Sequence, residues 1–346
     1  MDKDSIKQDV RNYYGKELKG SKDLRTSACC CSGECIPQEV KDILPLIDSE
    51  ILDRFYGCGS PIPQLLTGLT VLDLGCGTGR DVYIISKLVG EAGRAIGVDM
   101  TSEQLEVARS HEKSQMSKFG YARSNVDFHL GYIEDLASLG IEDNSIDVVV
   151  SNCVINLSPE KEKVFSEIYR VLKKGGELYF SDIFADRRVP DSVYADPIVH
   201  GECLGGAMYI EDFRRMMSKV GFEDYRVVSE SPVDISDEHV KSLVGDTGFK
   251  SVTVRAFKVD GLEDRCEDYG QSVIYKGTIP GKPEYFDLDS GHRFETNQPK
   301  RVCGNTAAMI AGSRFATHFT VSGDRRKHYG QFDCSDNDVP CKCCCC

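Results

Sequence analysis

Three cysteines stand in loop-like stretches: Cys58 in YGCGSPIP, Cys153 in SNCVINL and Cys203 in HGECLGGA. A thiolate is a nucleophile and a soft ligand, whereas a protonated, buried thiol behaves as a small apolar side chain. Taken singly, each of the three is more readily read as packing than as chemistry. A second group has a different character. VLDLGCGTGRD sets Asp73, Gly75, Gly77 and Gly79 where an apolar strand gives way to a helical pattern. Glycine is needed there if the backbone turns sharply and approaches a ligand closely. Asp99 closes RAIGVD, where a carboxylate can accept both hydroxyls of a ribose, and Glu134 in GYIEDL stands where it can meet the edge of an adenine.

The elements that must position these residues follow from periodicity. Ile6, Val10, Tyr13 and Tyr14 fall on one helical face, and a second amphipathic pattern runs from Ile36 to Phe55. From residue 70 strands and helices alternate: TVLDLG, a helix Arg80–Val89, RAIGVD, a helix Ser102–Phe119 with Ser102 as its expected N-cap, VDFHLG, IDVVVSN, a helix over 159–172, and GELYFSDIF. This is the rhythm of an α/β, doubly wound, mostly parallel sheet with helices on both faces. Ligands of such sheets bind beyond the carboxyl ends of the strands, and Asn152 and Cys153 lie at one of those ends. DSVYADPIVHGECLGGA reads as a helix running into a glycine-rich loop, YIEDFRRMMSKVGF as a helix, YRVVSE and SVTVRAFKVD as strands, and NTAAMIAGSRFATHF as a helix. The expected division is an N-terminal helix and cysteine-rich segment over 1–35, a ligand-binding domain over 36–205, a middle region over 206–262, a small α+β domain over 263–330, and a flexible cysteine-rich tail over 331–346. No internal repeat is visible.

The bulk properties narrow the function. The formal net charge of −13 over 346 residues argues against a nucleic-acid partner, which calls for a basic footprint. No apolar run is long enough to span a bilayer, and the charged start lacks the apolar core of a signal peptide. A cytoplasmic protein with no membrane partner is expected, and a monomer. Sixteen cysteines are then a surplus. Cys29, Cys30, Cys31 and Cys35 crowd one end, Cys334, Cys341 and Cys343–Cys346 the other, and six are scattered between. In a reducing compartment such a surplus points to soft-metal or redox chemistry rather than to a disulfide scaffold. No repeated CxxC supports structural zinc.

The G-x-G-x-G loop with its preceding acid departs from the dinucleotide-binding G-x-G-x-x-G. Together with the acid spacing and strand order it resembles the class I S-adenosylmethionine-dependent methyltransferases. Methyl transfer to oxygen or nitrogen usually needs a general base, and the loops over the sheet offer none apart from His200. They offer Cys58, Cys153 and Cys203. Three thiolates suit a soft, thiophilic centre such as trivalent arsenic, which would keep a lone pair directed outward to take a methyl group without a base. Zinc in the same cage would be an electrophile.

YGCG, DLGCGTGRD, IGVDM, GYIEDL, SNCVINL, GGELYFSD and GECLGGA, with the cysteine-rich tail, resemble the arsenite methyltransferases over nearly the whole chain to about residue 325. The resemblance implies that Cys58, Cys153 and Cys203 bind the arsenical, and that a cysteine of the TSAC segment, here Cys29, joins them as redox partner. Three cysteines in a row leave Cys30 and Cys31 as alternatives. It implies a cofactor site of Tyr56, Asp73, Gly75, Gly77, Gly79, Asp99, Met100, Ile133, Glu134 and Asn152, with Tyr56 closing over the cofactor. Arsenite or its thiol adducts would be the substrate, and thioredoxin or glutathione the thiol reductant. Cys76, Cys266 and Cys303 are expected to be structural and the tail cysteines dispensable. Two other readings share parts of this pattern. A class I methyltransferase for an organic small molecule keeps the cofactor site but leaves the cysteines idle. A thiol-based metalloid-sequestering protein uses the cysteines but leaves the cofactor signature idle.

Overall fold

The computed structural model describes residues 3–17, 36–57, 60–194, 196–201 and 203–334. In chain order the elements are α1 (Lys3–Asn12), α2 (Gln38–Ile43), α3 (Ser49–Asp53), β1 (Thr70–Leu74), α4 (Arg80–Val89), β2 (Arg94–Asp99), α5 (Ser102–Phe119), β3 (Val126–Leu130), β4 (Ile146–Asn152), α6 (Lys161–Val171) and β5 (Leu172–Ala185). There follow α7 (Asp191–Tyr194), α8 (Pro197–Gly201), β6 (Met208–Tyr209), α9 (Ile210–Val220), β7 (Tyr225–Pro232), α10 (Glu238–Val244), β8 (Phe249–Phe257), β9 (Ser272–Tyr275), β10 (Tyr285–Asp289), β11 (His292–Glu295), β12 (Pro299–Arg301), α11 (Gly304–Ala311) and β13 (Phe319–Ser322).

The central sheet has the order β3-β2-β1-β4-β5-β8-β7, with β6 also paired to β5. The pairs β1–β2, β2–β3, β1–β4 and β4–β5 are parallel, while β8 runs antiparallel to both β5 and β7. This is the class I methyltransferase fold. Val71, Leu72, Leu74, Val148, Val149 and Val150 are buried, as strands covered on both faces must be. The tight turn after β1 and the end of β4 are neighbours because these strands pair in register, Leu74 beside Ser151.

Several boundaries differ from expectation for local reasons. Thr101, not Ser102, is the N-cap of α5, with no side-chain cap bond, and the Ser102 hydroxyl faces Glu103 instead. The 36–55 pattern breaks into α2, a 3-10 turn at Leu44–Leu46 and α3, since Pro45 cannot continue a helical bond ladder. The run after residue 190 gives two short helices, α7 and α8, because Pro197 has no amide to donate. Of NTAAMIAGSRFATHF only Gly304–Ala311 is α-helical, with Gly312 its C-cap.

The 206–262 stretch does not stand apart, since β6, β7 and β8 all belong to the central sheet. The C-terminal part forms a three-stranded sheet, β12-β9-β13, a β10–β11 hairpin and α11. It is clamped to β5 by the buried Glu177, which pairs with Arg255 Nε at 2.6 Å and Arg314 Nη1 at 2.5 Å. Removing one partner of such a buried set costs about 3–5 kcal/mol. Residues 331–334, assigned by composition to the tail, instead pack on the C-terminal part: Gln331 bridges Glu267, and Cys334 is 8% exposed. No described helix is long and apolar enough to cross a membrane.

Candidate active site

A cleft of about 1030 Å³, measured out to its open mouth, lies beyond the carboxyl ends of β1, β2 and β4. Its lining includes Tyr56, Asp73, Gly75, Gly77, Asp99, Met100, Ile133, Glu134, Asn152 and Cys153, so one crevice gathers these sequence-selected positions. Gly79 is absent from the lining. It caps α4 at φ +85°, and a side chain there would press on Phe128 at 3.0 Å, so its small size serves packing of the helix against its neighbours. Cys29 and Cys58 lie outside the described residues, although Gly57, which precedes Cys58, lines the cleft.

The glycine loop is held from β2. Asp99 accepts the amides of Gly77 at 2.9 Å and Thr101 at 2.8 Å, tying the loop to the start of α5. Gly75 has φ +74°, and a Cβ there would meet Val154 Cγ2 at 2.3 Å. Only glycine allows both the left-handed turn and this contact between the loop and the residue after Cys153. Three carboxylates, Asp73, Asp81 and Asp99, line the same cleft. Burial, then the charges of Asp81 and Asp99, push Asp73 well above the usual carboxylate range. Burial also raises Asp99, against the hydrogen bonds that pull it down. Asn152 Nδ2 donates to Asp81 at 3.2 Å, while Asp81 Oδ1 is buried with no hydrogen-bond partner among the described residues. Asp81 Oδ1 has Arg80 Nη1 at 3.5 Å as its ion-pair partner, and the remaining buried acids favour a ligand carrying positive charge and N–H or O–H donors. S-adenosylmethionine, with its sulfonium, ammonium and ribose hydroxyls, meets that requirement.

Some lining residues escape sequence reasoning. Helix α1 lies across the cleft, contributing Lys7 and Val10, and Tyr14 follows from the next turn. Lys7 pairs with Glu134 at 3.4 Å and Glu160 at 3.2 Å, and Gln104 donates to the Tyr14 carbonyl at 2.9 Å. Tyr14 also packs edge-on against Tyr56, with centroids 5.6 Å apart. Glu134 accepts the Ser158 hydroxyl at 2.6 Å. The amphipathic face of α1 was legible; what it covers was not.

Cys153 lines the cleft, and Cys203 lies close to it, outside the lining. Cys153 and Cys203 have left-handed backbones, φ +55° and +67°, rare for non-glycine residues and costing each about 1–2 kcal/mol. Their sulfurs and a carboxylate oxygen of Asp182 all lie within 4.8 Å of one another. Cys203 Sγ donates to the Cys153 carbonyl at 3.0 Å. Cys153 is disulfide-bonded, whereas Cys76, Cys203, Cys266, Cys303 and Cys334 carry thiols. Asp182 is buried, pushed up to about 7 by that burial, and accepts the amides of Asn156 at 3.0 Å and Ile183 at 2.9 Å. Its position had a signal in the sequence: β4 and β5 run parallel with Asn152 beside Ser181, which brings the next residues, Cys153 and Asp182, together. Burial draws Lys161 down to about 8 and His200 down to about 4, so His200 is neutral near pH 7. Its Nε2 faces the Leu157 carbonyl at 3.3 Å, and the ring does not line the cleft.

Comparison with known proteins places the chain among relatives of known kind. Residues 65–221 match the family described as methyltransferase domain, and residues 269–342 match the arsenite methyltransferase C-terminal domain. An arsenite methyltransferase of Aquipseudomonas alcaligenes is 51% identical, over 96% of this chain and 95% of its own. The arsenite methyltransferase of Mus musculus is 42% identical, over 92% of this chain and 84% of its own. The crystal structure of an arsenic(III) S-adenosylmethionine methyltransferase from Chlamydomonas reinhardtii superposes with a TM-score of 0.83 at 53% identity, covering 86% of this chain and all of that one (100%).

Proposed function

The chain belongs to the arsenite methyltransferase family, and from that premise we propose that it methylates trivalent arsenic held by cysteine thiolates beside the cofactor cleft. The observation that carries the reading is the convergence of the Cys153 and Cys203 sulfurs, with Cys153 lining an acidic cleft. Asp73, Asp81, Asp99 and the glycine loop hold S-adenosylmethionine, which supplies an electrophilic methyl group. Arsenic, carried in as arsenite or a thiol adduct, exchanges its oxygen or sulfur ligands for Cys58, Cys153 and Cys203. Three sulfur bonds leave it a lone pair to form the arsenic–carbon bond, so no side chain need act as base.

Gaining the methyl raises arsenic formally to the pentavalent state. Two cysteine thiolates return it to the trivalent state by giving up two electrons and forming a disulfide. Cys29, with Cys30 and Cys31 as alternatives, is the expected redox partner of Cys58, Cys153 and Cys203. Thioredoxin or glutathione then restores the thiols by exchange. Single substitutions Cys153→Ser and Cys203→Ser test the cage: arsenite turnover is lost while S-adenosylmethionine binding, read by calorimetry, persists. Intact arsenite turnover in both variants would defeat it.

A further inference from the structure

Three thiols outside the cleft form a cluster of their own. Cys266, Cys303 and Cys334 pack against one another, with Phe332 over them. The sequence suggests that Cys266 and Cys303 are structural, but their surroundings are not those of apolar filler. Cys303 is the N-cap of α11: its Sγ accepts the Thr306 amide at 3.5 Å and meets the Thr306 hydroxyl at 3.3 Å. Cys266 packs against Cys303. The buried Arg226 guanidinium lies 3.8 Å from Cys303 Sγ, and its charge also reaches Cys266. The interaction with Cys266, then burial, hold the Cys303 thiol up, against the charge of Arg226. Arg226 is itself paired with the buried Asp224 at 2.6 Å, so a thiophilic centre that displaces both protons meets the helix N-terminus and the remaining field of that ion pair, and the helix N-terminus favours thiolate.

We propose that Cys266 and Cys303, with Cys334 beside them, are a second thiophilic site that takes a trivalent arsenical bearing one carbon substituent. The site lies on the C-terminal part, apart from Cys153 and Cys203, and its physiological ligand rests on the reading of the protein as an arsenic methyltransferase. The cluster is a close pair with a third thiol near, not a closed cage: among the described residues, only the Cys153–Asp182–Cys203 group brings three ligand atoms within 4.8 Å. A pair suits an arsenical with two exchangeable positions and gives zinc too few ligands. Two arsenic–sulfur bonds form as the arsenic–oxygen bonds break. Each thiol proton leaves with one hydroxide as water from a dihydroxy arsenical, or both leave with the single oxygen of an arsine oxide as one water, and arsenic stays trivalent.

Access is through the last described segment. It is held over the thiols by backbone bonds Asp268 N to Gly330 O, Tyr329 N to Asp268 O and Phe332 N to Cys266 O, each 2.8 Å. These few backbone bonds are what must part for a ligand to reach the thiols.

The probe is phenylarsine oxide. In a full-length chain with every cysteine except Cys76, Cys266, Cys303 and Cys334 replaced by serine, native mass spectrometry should show one phenylarsenic bound per chain. A further Cys266→Ser or Cys303→Ser should abolish uptake, while S-adenosylmethionine binding reports that the chain is folded. In the unsubstituted chain, peptic digestion at acid pH should yield one phenylarsenic bridging the Cys266 and Cys303 peptides. That second measurement decides the matter should the serine-rich chain not fold. No uptake by a folded chain, uptake that survives Cys303→Ser, or no bridged peptide would overturn the proposal. Because the serine-rich chain lacks Cys153 and Cys203, its failure leaves the methylation reading untouched, and the arsenite assay tests that separately.

Discussion

Gly75→Ala probes the joint between the cofactor loop and the thiol loop. At φ +74° an added Cβ lies 2.3 Å, 2.5 Å and 2.8 Å from the Cγ2, Cγ1 and Cβ of Val154. Valine is stiff at χ1 and cannot swing clear, so the residue next to Cys153 must shift with its backbone. Left-handed alanine costs about 1–2 kcal/mol and overpacking about 1–3 kcal/mol, together roughly 2–5 kcal/mol of folding stability. Val154→Ala removes the methyl groups at 2.3 Å and 2.5 Å but leaves the Cβ contact at 2.8 Å and the backbone strain. The double variant Gly75→Ala, Val154→Ala should therefore be about 1–3 kcal/mol more stable than the sum of the two single losses. Urea unfolding of the four proteins measures this, and calorimetry on the same set measures cofactor affinity. Additivity within about 0.5 kcal/mol would refute the contact as the reason for glycine at this position.

Other outcomes follow from the same geometry. Asp73 is held up by burial, Asp81 and Asp99, and a bound cation draws it down. S-adenosylmethionine binding should therefore release protons in mildly acid buffers and strengthen as pH rises. Asp73→Asn should reduce that release, as calorimetry in buffers of different ionisation enthalpy would show. Gly206→Ala places a Cβ 1.9 Å from the Asn156 carbonyl, and Asn156 Nδ2 donates to the Ile183 carbonyl at 2.6 Å and the Cys203 carbonyl at 3.4 Å. Arsenite turnover should fall at least tenfold, about 1.4 kcal/mol or more in the barrier, with cofactor affinity little changed. Ending the chain after Cys334 should leave arsenite kinetics unchanged. Ending it after Gly330 should lower Tm, because it removes the Phe332–Cys266 backbone bond and the packing of Cys334.

The alternating half of the chain was legible because its signals are local. The bounds of α4, β2 and α5 follow from apolar periodicity between Arg80 and Phe119, and the acids and glycines of the cleft follow from their places at strand ends. The antiparallel pairing of β8 with β5 was not legible, since it joins residues some 70 positions apart and leaves no mark on either strand. For the same reason the docking of α1 over the cleft, through Lys7 and Glu134, could not be read. Single substitutions of backbone freedom misled where one residue decides: Pro45 and Pro197 split patterns that periodicity alone joins. Composition marked 331–346 as tail, yet the packing of Phe332 and Cys334 depends on partners at Cys266 and Cys303 that composition does not reveal.

The central claim is that arsenic takes its methyl group on the protein's own thiolates. The most direct measurement incubates the reduced protein with methyl-labelled S-adenosylmethionine, arsenite and thiol, then separates and counts the arsenic species for the unsubstituted chain and for Cys153→Ser. Labelled methylarsenic from the first and none from the second is the expected result. Bound cofactor with no labelled arsenic from either, or equal label from both, would contradict the account.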